Sequence, residues 1–285
     1  MQYYHVNVFS SKVLNGNGLT VVFPQKLLPD KQLLEIAREL KQFETIFIYP
    51  SNSKGYYPAR IFTVDEELQF AGHPIIGAGA VIHKLFFSEK NSIEIIFELG
   101  KRQIQINSEK KYDYYQVTMN QGEAKFIKII DETFYGQIAE ALNLQEPDID
   151  KNYSIEVVST GLPYLLVPLR RNISNCKITR KDFEGFLSGF EAKFVYVFDT
   201  NTLDCRTWDN FGNTEDIATG SAAGTLCAYL VKNSIKKQGE VIEIHQGKFI
   251  NRPSVIKGWM SKKENPNDVL ITGAVSFFAS GMINI

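Results

Sequence analysis

The chain has little cysteine and nothing that gathers it. Its three thiols, Cys176, Cys205 and Cys227, stand far apart with no Cys-x-x-Cys spacing, which argues against a disulfide frame and against a zinc cage. Its four histidines, His5, His73, His83 and His245, share no ligand spacing, so no metal is expected. There is no basic run, and 31 Lys and Arg balance 32 Asp and Glu for a net charge of −1; nucleic acid is not an expected partner. The longest apolar stretches, such as Ile75 to Ile82, fall well short of the roughly 18 residues a membrane span needs. The opening MQYYHVNVF lacks a basic segment followed by an apolar signal core. A cytoplasmic protein without a membrane partner is expected. No GxSxG elbow, Walker loop or GxGxxG fingerprint occurs.

What is present is ordinary globular material. The 285 residues are 44% hydrophobic and 22% charged, which excludes disorder, collagen-like repeats and coiled coil. That length suits two domains of roughly 140 residues each.

The chain is also written twice. LKQFETIFIY at Leu40–Tyr49 returns as LSGFEAKFVY at Leu187–Tyr196, GLTVVFP at Gly18–Pro24 as GLPYLLVP at Gly161–Pro168, Arg60 as Arg206, and Gly72 as Gly220. Each half has a β-rich opening, a strand ending in Pro, the Phe-Glu strand, the Arg strand, a glycine turn leading into a helix, and closing strands. In the first half Asp30 is the expected N-cap of a helix with Leu33, Leu34, Ile36, Ala37 and Leu40 on its apolar stripe. The expected boundary lies near Asn120, giving a first repeat domain at 1–120 and a second at 121–285, with allowance for the C-terminal strand crossing back. The predicted fold is α+β, two pseudo-symmetric domains.

The two glycine turns read GHPIIGAGA from Gly72 and GSAAGTLCA from Gly220. Glycine costs up to about 1 kcal/mol inside a helix, so such small-faced helices imply tight central packing, with room for another backbone at Gly77 to Ala80. Pseudo-symmetry predicts that both helix N-termini face one cleft, each offering unpaired N–H groups and a positive dipole end suited to a carboxylate. The plainer reading is that both turns only cap structural helices.

Within these turns and the Phe-Glu strand lie the candidates for chemistry. Glu44 shares a strand face with Ile46 and Ile48, so its carboxylate is costly to ionise and suits a general acid/base; a surface position on an edge strand is the alternative. Its repeat partner Glu191 shares a face with Lys193, as a screened pair would. His73, at a helix start, is pushed toward the neutral form by the dipole, though a lone His before Pro also reads as structural. Asp216 either binds a substrate amine, orients His73, or only braces its turn. Ser221 is an N-cap, a donor to a substrate carboxylate, or both.

The set GNGLTVVF, FETIFIY, ELQFAGHP, VSTGLPYLLVP, EDIATGSAAG and QGKFINRPS resembles, in that order and over nearly the whole chain, the phenazine-biosynthesis PhzF-like family. The resemblance implies a diaminopimelate-epimerase-type fold, each half wrapping a β-barrel around a central helix. It also implies a cofactor-independent, often dimeric isomerase in a biosynthetic process that moves a proton on a dihydro-hydroxyanthranilate. Carried over, Glu44 is the proton shuttle, His73 and Asp216 hold the amine and hydroxyl, and Gly72, Gly220, Ser221 and Ala222 supply the carboxylate site. Related racemases place a cysteine before each central glycine; here those positions are Ala71 and Thr219. Phe43, Ile217 and Asn7 depart from the family's usual small hydroxyl residue, Pro and Asp. The expected activity is isomerisation of a small carboxylate-bearing amino or hydroxy acid, with no cofactor. Its rivals are a non-catalytic small-acid receptor and an amino-acid racemase.

Overall fold

A computed structural model of the protein describes residues 1–51, 53–262 and 265–285. The chain forms two compact units, one of residues 1–120 with 272–285 and one of residues 121–271.

In the first unit β1 (Gln2–Val8) and β2 (Asn17–Phe23) form a hairpin, followed by α1 (Asp30–Leu40), β3 (Glu44–Ile48), β4 (Tyr56–Phe62), the short β5 (Glu67–Leu68), α2 (Gly72–Phe86), β6 (Ser92–Leu99), β7 (Arg102–Lys110) and β8 (Tyr115–Glu123). Among the described residues, β1, β2, β3, β4, β6, β7, β8 and the C-terminal strand Asp268–Met282 are hydrogen-bonded in that order. The C-terminal strand then pairs antiparallel with β1, closing an eight-stranded barrel. Helix α2 packs against β1, β2, β3, β6 and β7, and every residue from Gly72 to His83 is buried, as a helix apolar on all sides must be. Its small residues have a different use from the one the sequence suggests. A Cβ on Gly77 would collide with Leu19 and Val8, and one on Gly79 would collide with Ile106 and crowd Val117. Inward side chains of the barrel fill that space, not a second backbone.

Helix α1 covers the outside of β3. Leu33, Ile36 and Ala37 pack with Val22, Phe47, Tyr49 and Phe62 in one cluster, so strand alternation turns Glu44, Ile46 and Ile48 to the other face. All five residues of β3 are buried, because both faces are covered. Asp30 is not the N-cap expected of it; Pro29 holds that position without a side-chain bond, and Asp30 begins the first turn.

The second unit repeats the plan with β9 (Lys125–Ile129), α3 (Tyr135–Ala141), β10 (Glu156–Ser159), β11 (Pro163–Leu169), α4 (Phe183–Ser188), β12 (Phe194–Asp199), β13 (Asp204–Arg206), α5 (Gly220–Lys232), β14 (Ile242–Gln246) and β15 (Ser254–Met260). In the first unit the ladder β1–β2–β3–β4–β6–β7 alternates antiparallel, parallel, antiparallel, parallel, antiparallel. The ladder β10–β11–β12–β13–β14–β15 has the same alternation. Pairing mode is a long-range property, so this agreement is the duplication expressed in three dimensions. Helix α5 is buried from Ala222 to Leu230 and packs on β10, β11 and β15. A separate core joins α3 and α4 to Val157, Leu165, Val167, Val195 and Trp208.

The repeat carries an ion pair in each half. Arg60 grips Glu67 with Nε at 2.7 Å and Nη2 at 2.5 Å. Arg206 grips Glu215 at 3.0 and 2.6 Å. In both halves the glutamate lies a few residues before the glycine that starts the central helix. Glu191 is not a strand residue: its φ is +66° in a turn, and its carboxylate meets Lys128 at 3.4 Å, not the Lys193 expected from alternation.

Candidate active site

The register of β2 on β3 sets Glu44 beside Leu19 at the start of its strand. Glu44 is 7% exposed, which rules out the surface position. His73, the second residue of α2, is 5% exposed, and its Nε2 lies 3.1 Å from Glu44 Oε2. The two are at ion-pair distance but without hydrogen-bond alignment. Burial lowers the imidazole from its ordinary 6.5 to about 3, so the neutral ring faces the carboxylate and the contact is not an ion pair. Sequence reasoning expected a neutral His73 but credited the helix dipole; desolvation is the cause, and Glu44 is the neighbour. The N-cap Ala71 offers no side-chain bond and the first turn of α2 holds no acid.

A depressed histidine pKa has a consequence for stability. Between pH 6.5 and about 3 the unfolded chain binds a proton that the folded ring refuses, so His73 makes the fold lose stability as pH falls through that window and costs nothing above it. Nitrogen-15 spectra of the ring should show the neutral imidazole from pH 8 down to pH ~5, where an ordinary histidine is mostly charged; a midpoint near 6.5 would refute the buried assignment.

In the second unit Asp216, Gly220, Ser221 and Ala222 gather at the start of α5. Thr219 is the N-cap, without a side-chain bond into the helix, and the first turn again holds no acid. Ser221 is therefore not the N-cap; it lies inside the helix, with Oγ 2.8 Å from the Tyr164 hydroxyl. Gln121 donates to the Gly220 carbonyl at 2.9 Å and accepts from Thr160 at 3.0 Å. Asp216 Oδ2 accepts the Thr219 hydroxyl, and its backbone N–H bonds the Thr207 carbonyl at 3.0 Å. Tyr164, Gln121 and Thr160 escaped the sequence reading, since nothing in local spacing marks residues that meet only across strands.

Asn7 is buried and accepts the Leu14 N–H at 2.8 Å, a bond that an Asp would also accept. Phe43 is 40% exposed. The three thiols are free and buried; burial pushes Cys176 and Cys227 up to about 12 and Cys205 further still. None of them is a proton carrier at neutral pH. His83 is structural: Nε2 lies 3.0 Å from the Lys90 carbonyl, which demands an N–H there, and Nδ1 lies 2.8 Å from Ser108 Oγ. No helix of the described residues is long and apolar enough to cross a membrane.

An uncharacterised isomerase of Escherichia coli O157:H7 is 30% identical over 96% of this chain and 95% of its own. The trans-2,3-dihydro-3-hydroxyanthranilate isomerase of Pseudomonas chlororaphis is 30% identical over 89% of this chain and 88% of its own. The solved structure of a predicted epimerase from Pseudomonas aeruginosa superposes with a TM-score of 0.93 at 35% identity, covering 100% of this chain and 99% of that one. A probable proline racemase from Agrobacterium radiobacter shares the fold alone, at a TM-score of 0.61 and 10% identity over 100% of this chain and 93% of its own. The family model for phenazine biosynthesis-like proteins matches residues 6–281, so the chain belongs to the PhzC–PhzF family, whose named relatives are isomerases.

Proposed function

We propose that this isomerase moves a proton between two carbons of a small cyclic amino or hydroxy carboxylic acid, with Glu44 as the acid/base. The observation that carries the reading is the buried Glu44 carboxylate 3.1 Å from a neutral His73. Glu44 takes the proton from carbon; the C–H electron pair enters the conjugated system, the double bond shifts, and the same proton is returned at the far end of that system. One C–H bond breaks and one forms, so the sequence is redox-neutral and calls for no cofactor. His73, neutral, donates or accepts a hydrogen bond at the substrate's amine or hydroxyl; Asp216, in the second unit, is by its own chemistry a second candidate to bind such a group. The starts of α2 at Gly72 and of α5 at Gly220, Ser221 and Ala222, each without a side-chain cap, are each suited to a carboxylate.

The name of the Pseudomonas chlororaphis relative supplies the first compound to try, trans-2,3-dihydro-3-hydroxyanthranilate. A two-thiol racemase is disfavoured, because Ala71 and Thr219 occupy the N-cap positions and every thiol is buried. The test is incubation in D₂O followed by mass spectrometry, using that compound and a panel of cyclic amino and hydroxy acids. Gain of deuterium on carbon together with a new isomer is expected. Saturable binding without exchange would replace the enzyme by a receptor.

A further inference from the structure

We propose that Gln246 is a positioning residue for Asp216, acting through Thr219 with Tyr196 behind it, an assignment that rests on the proposed role of Asp216. Gln246, the last residue of β14, is 1% exposed, and its carboxamide makes every bond open to it. Oε1 accepts the Thr219 N–H at 3.1 Å and the Tyr196 hydroxyl at 3.1 Å. Nε2 donates to the Asp216 carbonyl at 2.8 Å and to Thr219 Oγ1 at 3.0 Å. The orientation of the amide is unambiguous, because a backbone N–H can only donate and a backbone carbonyl can only accept.

That fixed orientation propagates. Thr219 Oγ1 already accepts a hydrogen bond from Gln246 Nε2, so its own O–H donates to Asp216 Oδ2, the bond observed. Every proton from Tyr196 to Asp216 has one allowed direction, and Asp216 stands at the end as an acceptor. Thr219 is also the N-cap of α5, so the same bonds hold the helix start that Gly220, Ser221 and Ala222 form.

Two further observations separate this role from plain core packing. The next residue, Gly247, has φ +79°, and a Cβ there would collide with the Arg252 carbonyl and lie 2.7 Å from the Ile217 carbonyl. The segment after Gln246 is therefore pressed directly against the Asp216–Thr219 turn. In the first unit, Pro58, two residues before Arg60, pairs with Glu98. In the second, Asp204, two residues before Arg206, pairs with His245. Leu99 thus holds the position of Gln246, and it is buried and apolar. The fold itself accepts leucine there; the polar residue appears only in the half that carries Asp216.

The test compares Thr219→Val, which keeps the shape and loses the hydroxyl, with Thr219→Ser, which keeps the hydroxyl. With trans-2,3-dihydro-3-hydroxyanthranilate as probe, Thr219→Val should raise KM about tenfold to a hundredfold, the range for a bond to a charged group. kcat should change much less, and Thr219→Ser should restore KM. Slow hydrogen exchange of the Gln246 carboxamide protons is expected in the wild type. An unchanged KM in Thr219→Val, or a Thr219→Ser variant as impaired as the valine, overturns the inference. Should the wild type not turn the probe over, the proposed function fails for it, and the exchange measurement decides the network alone: protons exchanging as fast as in an exposed glutamine overturn it.

Discussion

Replacing Glu44 with glutamine should lower turnover by about a thousandfold, within the 10²–10⁴ that general acid–base groups contribute, while leaving ligand affinity nearly unchanged. Glutamine matches the volume of glutamate in a position that is 7% exposed, so the barrel keeps its packing, but an amide cannot carry the proton. Glu44→Asp keeps the carboxylate and withdraws it by about one methylene; a misplacement of that size costs roughly a hundredfold. The ordering Glu, then Asp, then Gln is the signature of a proton carrier held in place. It is read by deuterium incorporation rates beside calorimetric binding of the same compound. Retained turnover with lost binding in Glu44→Gln would make the residue a binding group and end its role as shuttle.

The second large effect is on stability and uses the duplication as its own control. Arg206 and Glu215 are buried, with side chains 10% and 7% exposed. Arg206 also donates to the carbonyls of Ile173, Ser174 and Cys176 at 3.0, 3.0 and 2.8 Å and lies against the Trp208 and Phe249 rings. Glu215→Gln leaves a buried guanidinium without its counter-charge, a loss of about 3–5 kcal/mol. The repeat partner Arg60–Glu67 is 26% and 40% exposed, and Arg60 also holds Asp30 at 2.8 Å, so water and a remaining counter-charge both soften the loss; Glu67→Gln should cost about 1 kcal/mol or less. Urea denaturation of the two variants measures the difference directly. Equal costs would mean that neither burial nor the lack of a second carboxylate makes the Arg206–Glu215 pair the stronger one.

Several features were legible in the chain because they are local or repetitive. The apolar stripe of α1, the small-faced helices at Gly72 and Gly220, the β3 strand of the first half and the Arg strands of both halves all follow from side-chain size and period. The candidates Glu44 and His73 came from the same source, one from strand alternation and one from a glycine turn. The N-cap of α1 was misplaced by one residue, since Pro29 and Asp30 are both good helix starters and only the backbone distinguishes them. Glu191 was misjudged because its repeat match is exact in sequence while the local backbone turns to positive φ.

The sequence by itself determined the doubled α+β plan, the family, and which residues are candidates for the chemistry. Tertiary structure decided that Glu44 meets His73 and that burial keeps His73 neutral. It also decided that α2 admits barrel side chains at its glycines, and that Gln246 directs the protons of the Asp216 turn. The physical reason is the range of the forces involved. Sterics and periodicity act between neighbours along the chain, whereas desolvation and hydrogen-bond partnership are set by residues that only folding brings together.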